Sequence, residues 1–335
     1  MAEAREEILV AMRGVAAHNE RGRERAGVVR VLAHVARALE AGEPVVALES
    51  SVLAQGLPIP ANREAAARMI AGVSRGGALA AITAVVGGLP TMGLEPEELE
   101  RFLARTGVRK VSSRDLGVAA AQGADGATTV AASLCIAAAT GVEVFATGGI
   151  GGVHRGAPFD ESADLGELAR TPMIVVCAGA KSILDLPATL ERLETLGVAV
   201  VGYGTDELPG FFTRTTGLPL TSRADTPDEI AGMYLASRAL GRTQATLVVQ
   251  PLPEDVALDR SVVEGAVTDA LAEAERAGIR GAATTPFLLG AVLRATEGRS
   301  LSANLGLLEQ NAFLAGAIAT ALHERRLRAT GEGRN

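Results

Sequence analysis

Apolar, β-branched runs closed by Gly or Pro alternate along this chain with longer stretches of helical period, and no other feature narrows its fold as much. The runs are PVVALES (44–50), ALAAITAVV (78–86), VEVFATG (142–148), MIVVCAG (173–179), VAVVGYG (198–204) and ATLVVQP (245–251). They read as buried strands. Helix candidates lie between them at ANREAAARMIAGVSRGG, ATTVAASLCIAAATG, ILDLPATLERLETLG and PDEIAGMYLASRALG. In the last, Thr226 takes the cap position, Pro227 the first turn, and Glu229 stands three residues after the cap. Strands apolar along their whole length, alternating with helices, predict a layered α/β/α fold around a central, mostly parallel (mixed) sheet. After residue 255 the pattern is helical to the end. With 335 residues and no internal repeat or linker, one large domain over 29–325 is expected. An Arg- and Glu-rich helical extension (1–28) precedes it, and a polar tail (326–335) follows.

Charge and composition exclude several roles. The formal net charge is −7, aromatic residues make up 3%, and Trp is absent. Such a chain lacks both the basic footprint and the stacking platforms of nucleic-acid binding. No apolar run approaches the ~18 residues of a membrane span. The opening MAEAREEILVAMRG is acidic and lacks the pattern of a secretory leader. Cys135 and Cys177, the only cysteines, lie inside apolar stretches, which points away from a disulfide framework and toward a reducing cytoplasm.

Thirty of the 32 basic residues are Arg; the two lysines are Lys110 and Lys181. A lysine retained against that bias points to work a guanidinium cannot do, such as forming a Schiff base or fitting a compact ammonium against phosphate. Two leftover surface lysines are the plain alternative. In α/β sheets ligands gather at the carboxyl ends of strands, and several polar groups fall there. Glu49 ends the first strand, and Lys110 lies in the extended piece GVRKVSS. His154, Asp160 and Asp164 follow VEVFATG through a glycine-rich loop, with Asp160 read as a lone carboxylate in that loop, while Lys181 follows MIVVCAGA. Taken singly, each reads equally well as a cap or a solvated turn residue.

Lys181 stands out, between Cys-Ala-Gly-Ala and Ser-Ile-Leu. Apolar surroundings and the positive end of a helix opening at Ser182 would favour a neutral, nucleophilic amine. A phosphate-loop reading of GAKS fails, because Ala180 and Val175 stand where that motif needs Gly. The loop GGIGGVHRG (148–156) lacks dinucleotide-binding spacing and reads as a flexible backbone wall beside a ligand. FDESADL (159–165) sets two carboxylates four apart. One Asp with water and substrate oxygens suits Mg²⁺ or Mn²⁺, whereas the lack of a His/Cys cluster argues against zinc. An Asp cap on the helix SADLGELA is the alternative. GATTV (126–130) offers two hydroxyls and free N–H groups at a helix start, which suits phosphate.

The strings ALESSVLAQGLP, KVSSRDL, GATTVAAS, FATGGIGGVHRG, FDESADL, CAGAKSILDLP, GYGTDELPGFFTR, TTPFLL and SLSANLGLLEQNA occur in that order from about residue 29 to 325. Together they resemble the pseudouridine-5′-phosphate glycosidase family, which includes the indigoidine synthase A-like proteins. The resemblance implies reversible cleavage of the C–C bond of pseudouridine 5′-phosphate to uracil and ribose 5-phosphate. It assigns the covalent adduct to Lys181 and proton donation to Glu49. Substrate contacts fall on Lys110, Val130, Ser162, Ala163 and Asp164, and Asn304 is expected to face the base. One manganese ion per subunit would be held by Asp160. A cytoplasmic homotrimer is implied, acting on a small molecule rather than on nucleic acid or a membrane, beside a separate pseudouridine kinase. The chain departs from the family at Ser51 and Gln55, where Thr and His are common, and at Gln250, where Asn is. A Schiff-base lyase acting on another sugar phosphate, or a non-catalytic phosphosugar-binding relative, are the competing readings.

Overall fold

A computed structural model describes residues 28–279 and 284–330; most of the expected N-terminal extension lies outside them. In chain order the strands are β1 (Arg30–Val31), β2 (Val45–Leu48), β3 (Leu79–Val86), β4 (Leu89–Met92), β5 (Arg109–Val111), β6 (Gly126–Thr128) and β7 (Val144–Ala146). There follow β8 (Val153–His154), β9 (Ala157–Glu161), β10 (Ile174–Cys177), β11 (Leu184–Asp185), β12 (Ala199–Tyr203), β13 (Arg223–Ala224) and β14 (Thr246–Val249). All six apolar runs become strands, and they lie side by side.

The large sheet runs β1-β4-β3-β2-β7-β10-β14-β12-β13, with β6 on β3 and β5 on β6. From β3 to β13 every pairing is parallel, whereas β4 and β6 join β3 antiparallel. Parallel neighbours need crossovers, and the helices supply them on both faces. Val46, Ala47, Phe145, Val175, Val176 and Val248 are fully buried in the central strands. A second, small antiparallel sheet has the order β11-β8-β9. Because β2, β7 and β10 are adjacent and parallel, the residues after them emerge at one end of the sheet: Glu49, Thr147 and, past a short loop, Lys181.

The helix Arg299–Thr330 has an 18-residue window of mean hydropathy 1.3, long and apolar enough for a membrane by composition alone, but 67% of that window is buried in the protein. It packs on β2, β7 and β10 and against the helices Ala61–Arg75 and Pro227–Ala239. It also runs five residues into the stretch read as a tail. Arg325 and Arg328 bind Asp228, and Arg326 binds Glu143.

Three local expectations are corrected. No helix opens at Ser182: residues 182–183 form a turn, β11 follows, and the helix is Leu186–Thr195. Asp185 caps it by accepting from the Ala188 N–H, and Pro187 sits in its first turn, where its missing N–H costs nothing. Asp160 lies not in a loop but on β9, whose pairing with β8 carries an irregularity at Val153–His154. Ser162, rather than an Asp, caps the helix Ala163–Leu168.

Candidate active site

Glu49 follows β2 and is almost fully buried. Its two carboxylate oxygens accept from different hydroxyls, Oε2 from Ser51 and Oε1 from Thr147. A hydroxyl can rotate to accept instead, so this pair serves both the charged carboxylate and the protonated acid. Beneath lies a buried hydroxyl cluster. Thr83 Oγ1 contacts Thr128 Oγ1 (2.9 Å) and Ser133 Oγ (2.8 Å), and Ser50 Oγ accepts from the Thr128 N–H (2.9 Å). This cluster ties the end of β2 to β3, β6 and the helix Val130–Thr140. It absorbs the Thr128 hydroxyl that the sequence offered to phosphate, while the Thr129 hydroxyl caps the helix.

Lys181 sits on a loop zipped to the one after β7. The Ala178 N–H donates to Gly148 O (2.9 Å), Ile150 N–H to Gly179 O (3.1 Å) and Lys181 N–H to Ile150 O (3.1 Å). The glycine-dense segment is therefore a packed wall rather than a flexible one: a Cβ on Gly151 would stand 2.2 Å from Ser162 Oγ. Nearby Cys177 is wholly buried, which pushes its thiol up to about 12 and removes it as a competing nucleophile. Lys110, on β5, is exposed as a residue yet lines the same cleft as Glu49 and Lys181. Burial of its amine, and then the Lys181 charge, lower its pKa; Glu49 and Asp164 oppose this. The two lysines thus lie close enough to feel each other's charge.

Asn304, on the helix Arg299–Thr330, completes the cleft; it is buried and its Oδ1 has no donor among the described residues. Four of the expected residues, Glu49, Lys110, Lys181 and Asn304, therefore meet. The other five do not line this cleft. Asp164 is buried, and its carboxylate accepts from the N–H groups of Ala131 (3.0 Å) and Gly151 (2.8 Å). It thereby fastens the helix start at Val130 to the glycine wall. Ser162 Oγ accepts from the Asp164 N–H, and Ala163 is exposed. Asp160 is about half exposed, with His154 Nδ1 3.3 Å from its Oδ1. Among the described residues no three His, Cys, Asp or Glu side chains cluster as a metal cage. A lone carboxylate fits only a cation held chiefly by water and substrate oxygens.

Sequence reasoning missed Thr147, the buried hydroxyls, Phe211 and Asn311. Phe211 lines the cleft with a left-handed backbone (φ 65°), a conformation that residue type does not reveal. Asn311 donates to Thr147 O (2.8 Å) and accepts from Gln250 (2.9 Å). Gln250 therefore acts on the Thr147 backbone and not on the cleft itself. A larger cavity of about 490 Å³ opens beside Ser182, where Arg155 pairs with Glu264, but neither lysine reaches it.

Residues 34–321 match the family model described as indigoidine synthase A like protein. The chain belongs to the indigoidine synthase A-like family. Within it, a Gemmatimonas aurantiaca protein named pseudouridine-5′-phosphate glycosidase is 67% identical over 295 residues, 88% of this chain and 96% of its own length. A Herpetosiphon aurantiacus protein of the same name is 54% identical, covering 84% and 94%. The solved structure of the prealnumycin C-glycosynthase AlnA in complex with ribulose 5-phosphate superposes with TM-score 0.84 at 39% identity, over 90% of this chain and 99% of that one. An indigoidine synthase A-like protein from Thermotoga maritima gives 0.81 at 35%, over 88% and 97%.

Proposed function

We propose that this protein is a pseudouridine-5′-phosphate glycosidase that cleaves the C–C bond between ribose and uracil, reversibly, giving uracil and ribose 5-phosphate. The observation that carries the reading is the convergence of the chain's only two lysines with buried Glu49 in one cleft at the carboxyl ends of β2, β7 and β10.

A C–C bond to the base cannot be broken merely by protonating a nitrogen. Glu49 delivers its proton to the ring oxygen as the ribose opens, with Ser51 and Thr147 fixing the carboxyl in place. As the C1′–O4′ bond breaks, the Lys181 amine bonds to C1′ and passes a proton to the Glu49 carboxylate in the same cleft. The C1′–C5 electrons then pass into the uracil ring, which takes a proton on carbon and leaves. Water hydrolyses the imine, returning the amine and releasing ribose 5-phosphate. Lys110 sets a compact positive charge toward the phosphate, beside the helix start at Val130 that the Asp164 carboxylate holds in place, itself fixed by the Ser162 cap that precedes Ala163. Asp160 would hold a manganese ion, which when bound offsets phosphate charge and orders water.

The reading includes a cytoplasmic homotrimer working beside a separate pseudouridine kinase. The test is incubation with pseudouridine 5′-phosphate and Mn²⁺, following free uracil and ribose 5-phosphate. Equimolar release of both is expected. Cleavage of another sugar phosphate without uracil release would replace this reading with a Schiff-base lyase.

A further inference from the structure

Uracil joined through C5 carries two N–H donors, N1–H and N3–H, whereas a base joined through nitrogen keeps only N3–H. A site that tells the two apart needs a second acceptor. The cleft has one beyond Asn304. Gln55 lies in the irregular turn Val52–Gly56, lines the same cleft, and buries an Oε1 that no donor among the described residues satisfies. Other buried amide oxygens without donors, at Asn62, Gln244 and Gln310, do not line this cleft. A buried carbonyl without a partner is destabilising because it has lost its water and gained nothing, so a pair of them in one cleft is a feature that a ligand with two N–H groups would satisfy.

We propose that Gln55 is a specificity-determining residue whose Oε1 accepts one uracil N–H while Asn304 Oδ1 accepts the other, so that the pair selects the C-linked nucleotide. This rests on the pseudouridine 5′-phosphate reading above. The two amides come from different elements, the turn after Glu49 and the long C-terminal helix, so they can address different edges of the ring. Nitrogen-linked uridine 5′-phosphate would leave one of the two carbonyls unpaired. A site built to hydrogen-bond a substrate N–H strongly rejects an analogue lacking it, because its own buried group is then left bare.

The test compares pseudouridine 5′-phosphate with its 1-methyl and 3-methyl derivatives. Two readouts are used: kcat/KM of the wild type, and Kd for the Lys181→Ala protein, which binds without turnover. Each methyl group should cost at least about tenfold in both readouts. In Gln55→Met one methyl penalty should fall below about threefold while the other persists, and Asn304→Leu should show the reverse. Equal acceptance of both methylated ligands by the wild type would overturn the inference. So would a Gln55→Met protein that weakens all three ligands alike. Absence of uracil release alongside methyl discrimination in Kd would instead sink the reaction and leave the recognition standing.

Discussion

Asn311 shows how much of this site rests on residues that do not line the cleft. Its buried amide bridges Gln250 to the carbonyl of Thr147, whose hydroxyl binds Glu49. Asn311→Ala leaves that carbonyl and the Gln250 amide bare in the interior. The expected loss is about 2–4 kcal/mol of stability, read by urea denaturation, with kcat falling more than KM rises. An unchanged kcat would show that the bridge supports only the fold. Asp160 poses a different question, since its carboxylate is exposed and lies against His154. Asp160→Ala should unfold like the wild type yet need at least about tenfold more Mn²⁺ for half-maximal activity. A chelator should silence the wild type, and restored Mn²⁺ should revive it; chelator-resistant activity would count against the metal.

At the scale of elements, the helices Ala61–Arg75 and Arg299–Thr330 approach each other through small residues. A Cβ on Gly316 would stand 2.5 Å from Val73 O and 3.0 Å from Gly76 Cα. Gly316→Ala gains helix propensity but forces two backbones apart, so a net loss of about 1–3 kcal/mol is expected, measured as a lowered Tm. A raised Tm would show that the helices can separate freely. The parallel strands were legible because burial on both faces writes them as unbroken apolar runs. Short β8, β9 and β11 were not, since two to five residues carry no period. The helix expected at Ser182 fails because Asp185 and Pro187 hold the start signals four residues later. The GATTV hydroxyls looked available to ligand in sequence, but Thr128 is taken up by Ser50 and Thr83 from elsewhere in the chain, and Thr129 is taken up by its own helix cap. Glu49, Lys110, Lys181 and Asn304 were legible through lysine scarcity, strand ends and family motifs. Gln55 stood out in sequence only as a departure from the family, and its acceptor role needed the cleft.

For the whole molecule, acid stability follows from its paired carboxylates. Burial pushes Asp125 upward, but the Arg101 hydrogen bond, the Gly87 N–H and the Arg101 charge outweigh it and hold its pKa below 3.8. Glu98 behaves alike: burial raises it, while Arg30, the Glu95 N–H and Arg101 bring it below 4.5. A depressed carboxyl contributes stability that is fully present above its unfolded pKa and is lost as pH falls through its folded value. Urea midpoints should therefore be flat with respect to these two groups near neutrality and decline below about pH 4.5. Asp125→Asn together with Glu98→Gln should flatten that decline; an unaltered acid limb would assign it to other groups.

The proposed reaction turns on one covalent bond, between Lys181 and C1′ of the ribose. Wild type mixed with pseudouridine 5′-phosphate is reduced with borohydride, digested and read by mass spectrometry. A ribose-phosphate adduct on the peptide carrying Lys181 is expected. The adduct should be absent from Lys181→Arg, whose guanidinium stays protonated and cannot form an imine. In Lys110→Arg it should persist with KM raised by roughly tenfold, as expected when a charged contact to phosphate loses about 1–2 kcal/mol. An adduct on Lys110, or an active Lys181→Arg protein with no adduct at all, would contradict the account.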